Sequence, residues 1–210
     1  MTDTEKNKTE KSTVYLVATP IGNLADITER AKKVLAEVDF IGAEDTRNSL
    51  KLLSCLGIKK ELVSYHEHNQ SAAGEGILRR ILAGESCALV TDAGTPAISD
   101  PGEDLVKLCA EKGVAVISIP GCCAAVNALA VSGLPTGRFT FEGFLASGKS
   151  ERREQLKELR GEERTMIFHE APHRLRATLA DMAEVLGDRP IALCREITKL
   201  HEETLRMRLS

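Results

Sequence analysis

Tryptophan is absent from this 210-residue chain, and aromatic residues make up only 3% of it. That leaves little material for a binding surface built on bases stacked against rings. No apolar run approaches the roughly 18 residues that a membrane-spanning helix needs. Met1–Ser12 alternates Lys with Asp and Glu and has no apolar stretch, so it is not a signal peptide and reads as a disordered tail. The six cysteines (Cys55, Cys87, Cys109, Cys122, Cys123, Cys194) include no CxxC pair. Most lie in apolar surroundings, as expected of buried, reduced thiols in a cytoplasmic protein. A net charge of -3 excludes a protein that coats nucleic acid through bulk positive charge, but not a local basic patch. The chain has no GxGxxG fingerprint, no GxxxxGK[ST] loop and no GxSxG elbow.

What is present is an apolar share of 42%, enough for a packed core. Short β-branched runs alternate with helical segments, the pattern of an α/β fold with a largely parallel sheet. Strands are expected at Val14–Ala18, Phe40–Ala43, Glu61–Tyr65, Cys87–Thr91 and Val114–Ile119. Asp26 with Glu29, and Asp100-Pro101 with Glu103, have the spacing of helix caps. Gly57, Gly84 and Gly113 fall at expected helix ends.

Leu134-Pro135-Thr136-Gly137 reads as a linker. It divides a first α/β domain, residues 13–135, from a smaller one, residues 136–210. Residues 137–210 hold eleven of the arginines, against four before them. The second domain is expected to have strands near Phe139–Leu145, Thr165–His169, Ile191–Arg195 and Thr204–Leu209, with helices about Glu151–Arg160 and Arg174–Leu186. The chain ends in or just after the last strand, as a truncated chain would.

Ligands of open α/β sheets gather at the carboxyl ends of the strands. Three such ends run into loops of small residues: Thr19–Leu24, Thr91–Gly102 and Pro120–Ala125. Small residues let a ligand approach the backbone. Ordinary βα turns use the same residues, but three on one edge favour a site. His169-Glu170-Ala171-Pro172-His173 matches the HExxH zinc pattern, yet Pro172 opposes the continuous helix that pattern needs, so no metal is expected. His66 and His68 lack further ligands. Polar clusters at Glu44–Arg47, Tyr65–Gln70 and Arg195–Lys199 read either as capped surface loops or as the wall of a cleft.

Val17–Leu24, Ala43–Arg47, Thr91–Pro96, Phe168–Leu175 and Arg195–Glu203 together resemble the ribosomal RNA small subunit methyltransferase I family of the tetrapyrrole-methylase-like, class III methyltransferases. The resemblance implies two α/β domains with a cofactor cleft between them, and a cytoplasmic homodimer. It implies S-adenosylmethionine as cofactor, and 2′-O-methylation of a cytidine ribose in the decoding region of small-subunit rRNA, free or in the assembled subunit. By position, Pro20, Asp92, Ala93, Gly94, Thr95, Ile98, Cys123, Ala124 and Glu170 would hold the cofactor. His169 stands where the family commonly has tyrosine. The family usually continues beyond this chain's length into a small C-terminal region.

For the ribose hydroxyl, Glu44, Asp45, Glu196 and Lys199 are the candidate catalytic groups, acting by orientation. Arg47, His66, Asn69, Arg152, Arg153 and Arg195 are candidates for contacting RNA, with Lys149 at the same helix start. Asp100 reads as a structural cap. The alternatives are a tetrapyrrole methylase of the same fold and a non-catalytic nucleotide- or RNA-binding module.

Overall fold

A computed structural model describes residues 9–210. Contacts divide the chain into two compact units, Met1–Cys123 and Ala124–Ser210.

The first unit is built on five parallel strands: β1 (Thr13–Val17), β2 (Phe40–Ala43), β3 (Glu61–Ser64), β4 (Cys87–Val90) and β5 (Ala115–Ile119), in the order β3-β2-β4-β1-β5. Between them run α1 (Glu29–Glu37), α2 (Thr46–Cys55), α3 (Gln70–Leu82) and α4 (Glu103–Glu111). The inner strands β2 and β4 are buried along their whole length, which explains their unbroken apolar runs. Successive side chains point to opposite faces. Tyr15, Val17, Ile41, Ala88 and Val90 thus join Val34 and Leu35 of α1 in one core. Val14, Phe40, Cys87 and Leu89 join Ile77 and Ile81 of α3 and Leu105 of α4 in the other.

Two expected caps are displaced. Thr28, not Asp26, caps α1: its Oγ1 accepts from the Ala31 N–H at 3.1 Å. Asp26 lies in a short 3-10 turn, Leu24–Asp26, capped by Asn23. The residue before α4 is Gly102 at φ 144, so Asp100 does not cap that helix. Val114 stays out of β5 because its N–H returns to the Cys109 carbonyl at the end of α4. Of the tail expected over residues 1–12, the first eight lie outside the described residues. Thr9–Ser12 are tied down: Lys11 pairs with Asp39 at 2.8 Å, and the Ser12 N–H donates to the Glu85 carbonyl at 3.0 Å. Cys87, Cys109 and Cys122 are buried, whereas Cys55 is exposed. Burial pushes the Cys87 thiol up to about 12.

The second unit contains α5 (Ala124–Ser132), β6 (Phe139–Phe144), α6 (Lys149–Glu158), β7 (Thr165–His169), α7 (Leu175–Leu186), β8 (Pro190–Arg195) and β9 (Glu203–Arg208). β6 and β7 pair in parallel, and β8 and β9 form an antiparallel hairpin. Leu145, Leu156, Met182 and Val185 form its core. Because α5 packs against β7, β8 and β9, the division falls before α5, and Leu134–Gly137 lies within the second unit.

Candidate active site

The carboxyl ends of β1, β4 and β5 carry the three small-residue loops, and side chains and backbone stitch them together. Thr19 and Gly94 form an isolated two-way bridge, N–H to carbonyl at 2.9 and 3.1 Å. The Thr19 hydroxyl donates to the Thr91 carbonyl at 3.1 Å. The Thr95 hydroxyl donates to the Cys122 carbonyl at 3.0 Å. Gly121 lies so close to β1 that a Cβ there would meet the Ala18 Cβ at 2.8 Å. Pro20, Asp92, Ala93, Gly94, Thr95, Ile98 and Cys123 are therefore gathered on one edge. Ala124 follows Cys123 directly as the first residue of α5.

The β4–α4 loop is held in unusual backbone. Gly94 has φ 93, and the non-glycine residues Ala97 and Ser99 have φ 66 and 59. Two L-residues in the left-handed region cost about 1–3 kcal/mol each, and such conformations concentrate at functional sites. Between them Ile98 is 50% exposed.

Carboxylates flank this loop. One Glu44 oxygen accepts from the Asp92 N–H at 3.2 Å, and an Asp92 oxygen accepts from the Asn48 side chain at 2.8 Å. Asp100 is half-buried; burial first, then the Glu44 charge, pushes its carboxyl up to about 6. A cavity of about 350 Å³ opens beside it, lined in part by Glu67, Gln70, Glu103 and Asp104. The raised value has a consequence for stability. The unfolded chain ionises this group near pH 4, whereas the folded chain holds the proton to about pH 6. The fold therefore loses stability as pH rises through that window. Asp100→Asn is expected to raise Tm above pH 6, with the gain gone below about pH 4; thermal melts at pH 4 and 8 check this, and equal shifts at both would refute it.

Asp45 is placed differently from the expectation that made it a catalytic group. It caps α2 by accepting from the Arg47 N–H at 2.8 Å and is gripped by the Arg47 guanidinium at 2.7 Å. Those contacts hold its carboxyl at about 2, which leaves it a weak proton acceptor and occupies Arg47. Asn69 accepts from the His66 N–H at 2.8 Å and donates to the Ser64 carbonyl at 3.2 Å, so its side chain shapes the β3–α3 turn. His66 is half-buried in that turn.

In the second unit, Arg152 is not available to RNA. It is buried, and it donates through Nε and Nη2 to one Asp181 oxygen at 2.9 and 2.5 Å. The pairing follows from α6 packing on α7, which faces Arg152 with Asp181 rather than with solvent. Arg153 pairs with Glu184, and Arg195 with Glu203 across the hairpin at 2.6 Å. Glu196 and Lys199 pair with each other at 3.1 Å in the turn between β8 and β9, where Glu196 and Thr198 have φ 52 and 67. Both Glu170 oxygens are engaged, one by the Ala171 N–H at 2.7 Å and one by the Thr178 hydroxyl at 2.5 Å.

His169 ends β7, while Pro172 and His173 lie in a turn, so the two histidines share no helix face. Burial pulls the His169 pKa down, and Phe141 and Phe144 meet its ring edge-on at 5.2 and 5.3 Å. Among the described residues no group of three His, Cys, Asp or Glu side chains could hold a metal ion. Protein purified without added metal is expected to contain no stoichiometric zinc; one zinc per chain by elemental analysis, lost on His173→Ala, would overturn this.

Residues 13–210 match the family of Tetrapyrrole (Corrin/Porphyrin) Methylases. The ribosomal RNA small subunit methyltransferase I of Halalkalibacterium halodurans is 52% identical over 201 residues, covering 96% of this chain and 70% of that protein. The chain belongs to the ribosomal RNA small subunit methyltransferase I family. The Bacillus subtilis member is 48% identical over 203 residues, covering 97% of this chain and 70% of that one. The fold is that of the tetrapyrrole methylases. The uroporphyrin-III C-methyl transferase of Thermus thermophilus, solved complexed with S-adenyl homocysteine, superposes with a TM-score of 0.63 at 22% identity, covering 94% of this chain and 88% of that one.

Two features of the site leave little trace in the sequence. Gly121 follows Pro120 as in any Pro-Gly turn, although its lack of a side chain is what admits Ala18. Asp100 was assigned to a cap, and an Asp-Pro pair before an acidic N3 residue carries no signal that the helix starts two residues later.

Proposed function

We propose that this chain transfers a methyl group from S-adenosylmethionine to the 2′-hydroxyl of a cytidine in the decoding region of small-subunit rRNA. The observation that carries the reading is the Thr19–Gly94 bridge, which joins the small-residue loops after β1 and β4 at the carboxyl edge of the sheet. That edge fits the cofactor on its own features. Gly94 holds φ 93, which keeps the loop after β4 bridged to Thr19 with its backbone on this edge, and a Cβ there would meet only Ile21 and the Cys122 carbonyl, at 3.7 and 3.9 Å. Asp92, Glu44 and Asp100 supply negative charge suited to a cationic one.

Bound S-adenosylmethionine supplies an electrophilic methyl on a sulfonium, so no metal and no covalent intermediate on the protein are needed. The chain's part is to hold the hydroxyl in line and accept its proton. Glu44 and Asp100 fit the acceptor role better than Asp45, whose lone pairs are taken by Arg47. Glu196 and Lys199 act as an oriented pair in the hairpin turn. On the first unit, Pro20, Ala93, Gly94, Thr95, Ile98 and Cys123 line the cofactor. Arg47, Arg153 and Arg195 meet RNA phosphates only on release from Asp45, Glu184 and Glu203, whereas His66 and Asn69 shape the β3–α3 turn.

The test is incubation of unmethylated small subunits and of free small-subunit rRNA with labelled cofactor, followed by nuclease digestion and mass spectrometry. A 2′-O-methylcytidine is expected. A methyl on a base, or none on either substrate with cofactor bound, would refute the assignment. The enzyme is expected to act in the cytoplasm as a homodimer, since small domains with modest cores gain stability by association. Light scattering is expected to give twice the 22.8 kDa chain mass; a monomer at micromolar concentration refutes the dimer.

A further inference from the structure

The segment Leu145–Ser147, just before α6, is held by two side chains of α6 and one from the turn before α7. The Gln155 Oε1 accepts from the Ala146 N–H at 2.8 Å. Arg174 Nη2 donates to the carbonyls of Leu145 at 2.7 Å and Ala146 at 3.0 Å. Arg152 Nη1 donates to the Ser147 carbonyl at 3.1 Å and, more weakly, to Ala146 at 3.4 Å. The two arginines are themselves anchored, Arg152 by Asp181 and Arg174 by Glu170 at 3.4 Å. Three polar side chains spent on one short stretch of backbone give it a fixed position.

That base presents Ser147, Gly148, Lys149 and Ser150, all exposed. Arg152, Arg153 and Lys157 on the same helix each pair with a carboxylate. Lys149 has no such partner among the described residues. An unpaired ammonium on a pre-positioned base loses little freedom on meeting a phosphate, and phosphate contacts are what set a nucleic acid's register on a protein.

We propose that Lys149 contacts a backbone phosphate of the RNA substrate, and that Arg152, Arg174 and Gln155 are positioning residues that hold it there. This rests on the RNA-methylation reading above. The test measures binding of the full chain to unmethylated small subunits over a range of salt. Lys149→Gln is expected to weaken binding roughly five- to tenfold and to lower the salt slope by about 1. Its Tm and its affinity for S-adenosylmethionine stay at wild type. Gln155→Ala is expected to weaken binding as well, yet to add little to the Lys149→Gln variant, because it acts through Lys149. An unchanged salt slope in Lys149→Gln, or losses that multiply in the double variant, overturns the proposal. Methyl transfer by wild type in the same preparation separates the two readings. Transfer with an unchanged Lys149→Gln slope sinks only this proposal. Binding without transfer sinks only the enzymatic reading, and the slopes still judge Lys149.

Discussion

Gly94→Val is expected to lower affinity for S-adenosylmethionine by about a hundredfold while the chain remains folded. Gly94 sits at φ 93, a backbone conformation that a β-branched residue adopts only under strain. There is room for the Cβ itself, with its nearest neighbours at 3.7 and 3.9 Å, but the added methyls must enter the gap between Ile21 and the Cys122 carbonyl. To relieve the strain the residue must rotate, and rotation breaks both hydrogen bonds to Thr19. The β1 and β4 loops then part, and the surface offered to the cofactor is lost with them. A strain of about 2–3 kcal/mol that the bound state must recover corresponds to a loss of that order. The two main cores lie elsewhere in the first unit, so the variant is expected to keep a cooperative melt. Calorimetric titration checks the affinity, and Gly94→Ala, strained but without the extra methyls, is expected to fall between. Wild-type affinity in Gly94→Val sinks the placement of the cofactor on this edge.

The parts of this fold that were legible in the sequence are those dictated by local pattern. β2 and β4 are short apolar runs bounded by turn residues, and their length and flanks mark Phe40–Ala43 and Cys87–Val90 as buried parallel strands. The three small-residue loops were legible for the same reason, since glycine and proline punctuate βα turns locally. What stayed hidden depends on which residues tertiary packing brings together. Arg152 looked like a surface cation three residues from Lys149 until α7 set Asp181 against it, 29 residues away. Asp45 looked like a free carboxylate because a capping aspartate and a catalytic one have the same letter; only the Arg47 contacts distinguish them. Asp100 erred in the opposite direction. It has the sequence context of a cap, and the structure instead leaves it half-buried beside Glu44.

Asp181→Ala is expected to destabilise the second unit by about 3–5 kcal/mol, the largest stability loss of any single change considered. Both side chains of the Arg152–Asp181 pair are only 5% exposed. Removing the carboxylate leaves a buried guanidinium whose remaining protein acceptors are the carbonyls of Ala146 and Ser147. Arg153 approaches Asp181 at 4.0 Å, so the deletion also concentrates positive charge between α6 and α7. Replacing both partners, Arg152→Met with Asp181→Leu, removes the uncompensated charge and is expected to recover most of the loss, since apolar isosteres often match buried ion pairs in stability. Urea unfolding of the two variants decides this; a single-variant loss below about 1 kcal/mol means the pair is solvated rather than buried. The double variant also separates stability from function. It regains a packed α6–α7 interface but loses the Arg152 donor to Ser147 and Ala146, leaving the Ala146 carbonyl to Arg174 alone. If those carbonyls are held in order to place Lys149, the restored fold still binds small subunits less tightly than wild type, and full recovery of both properties together would show that the ion pair serves stability alone.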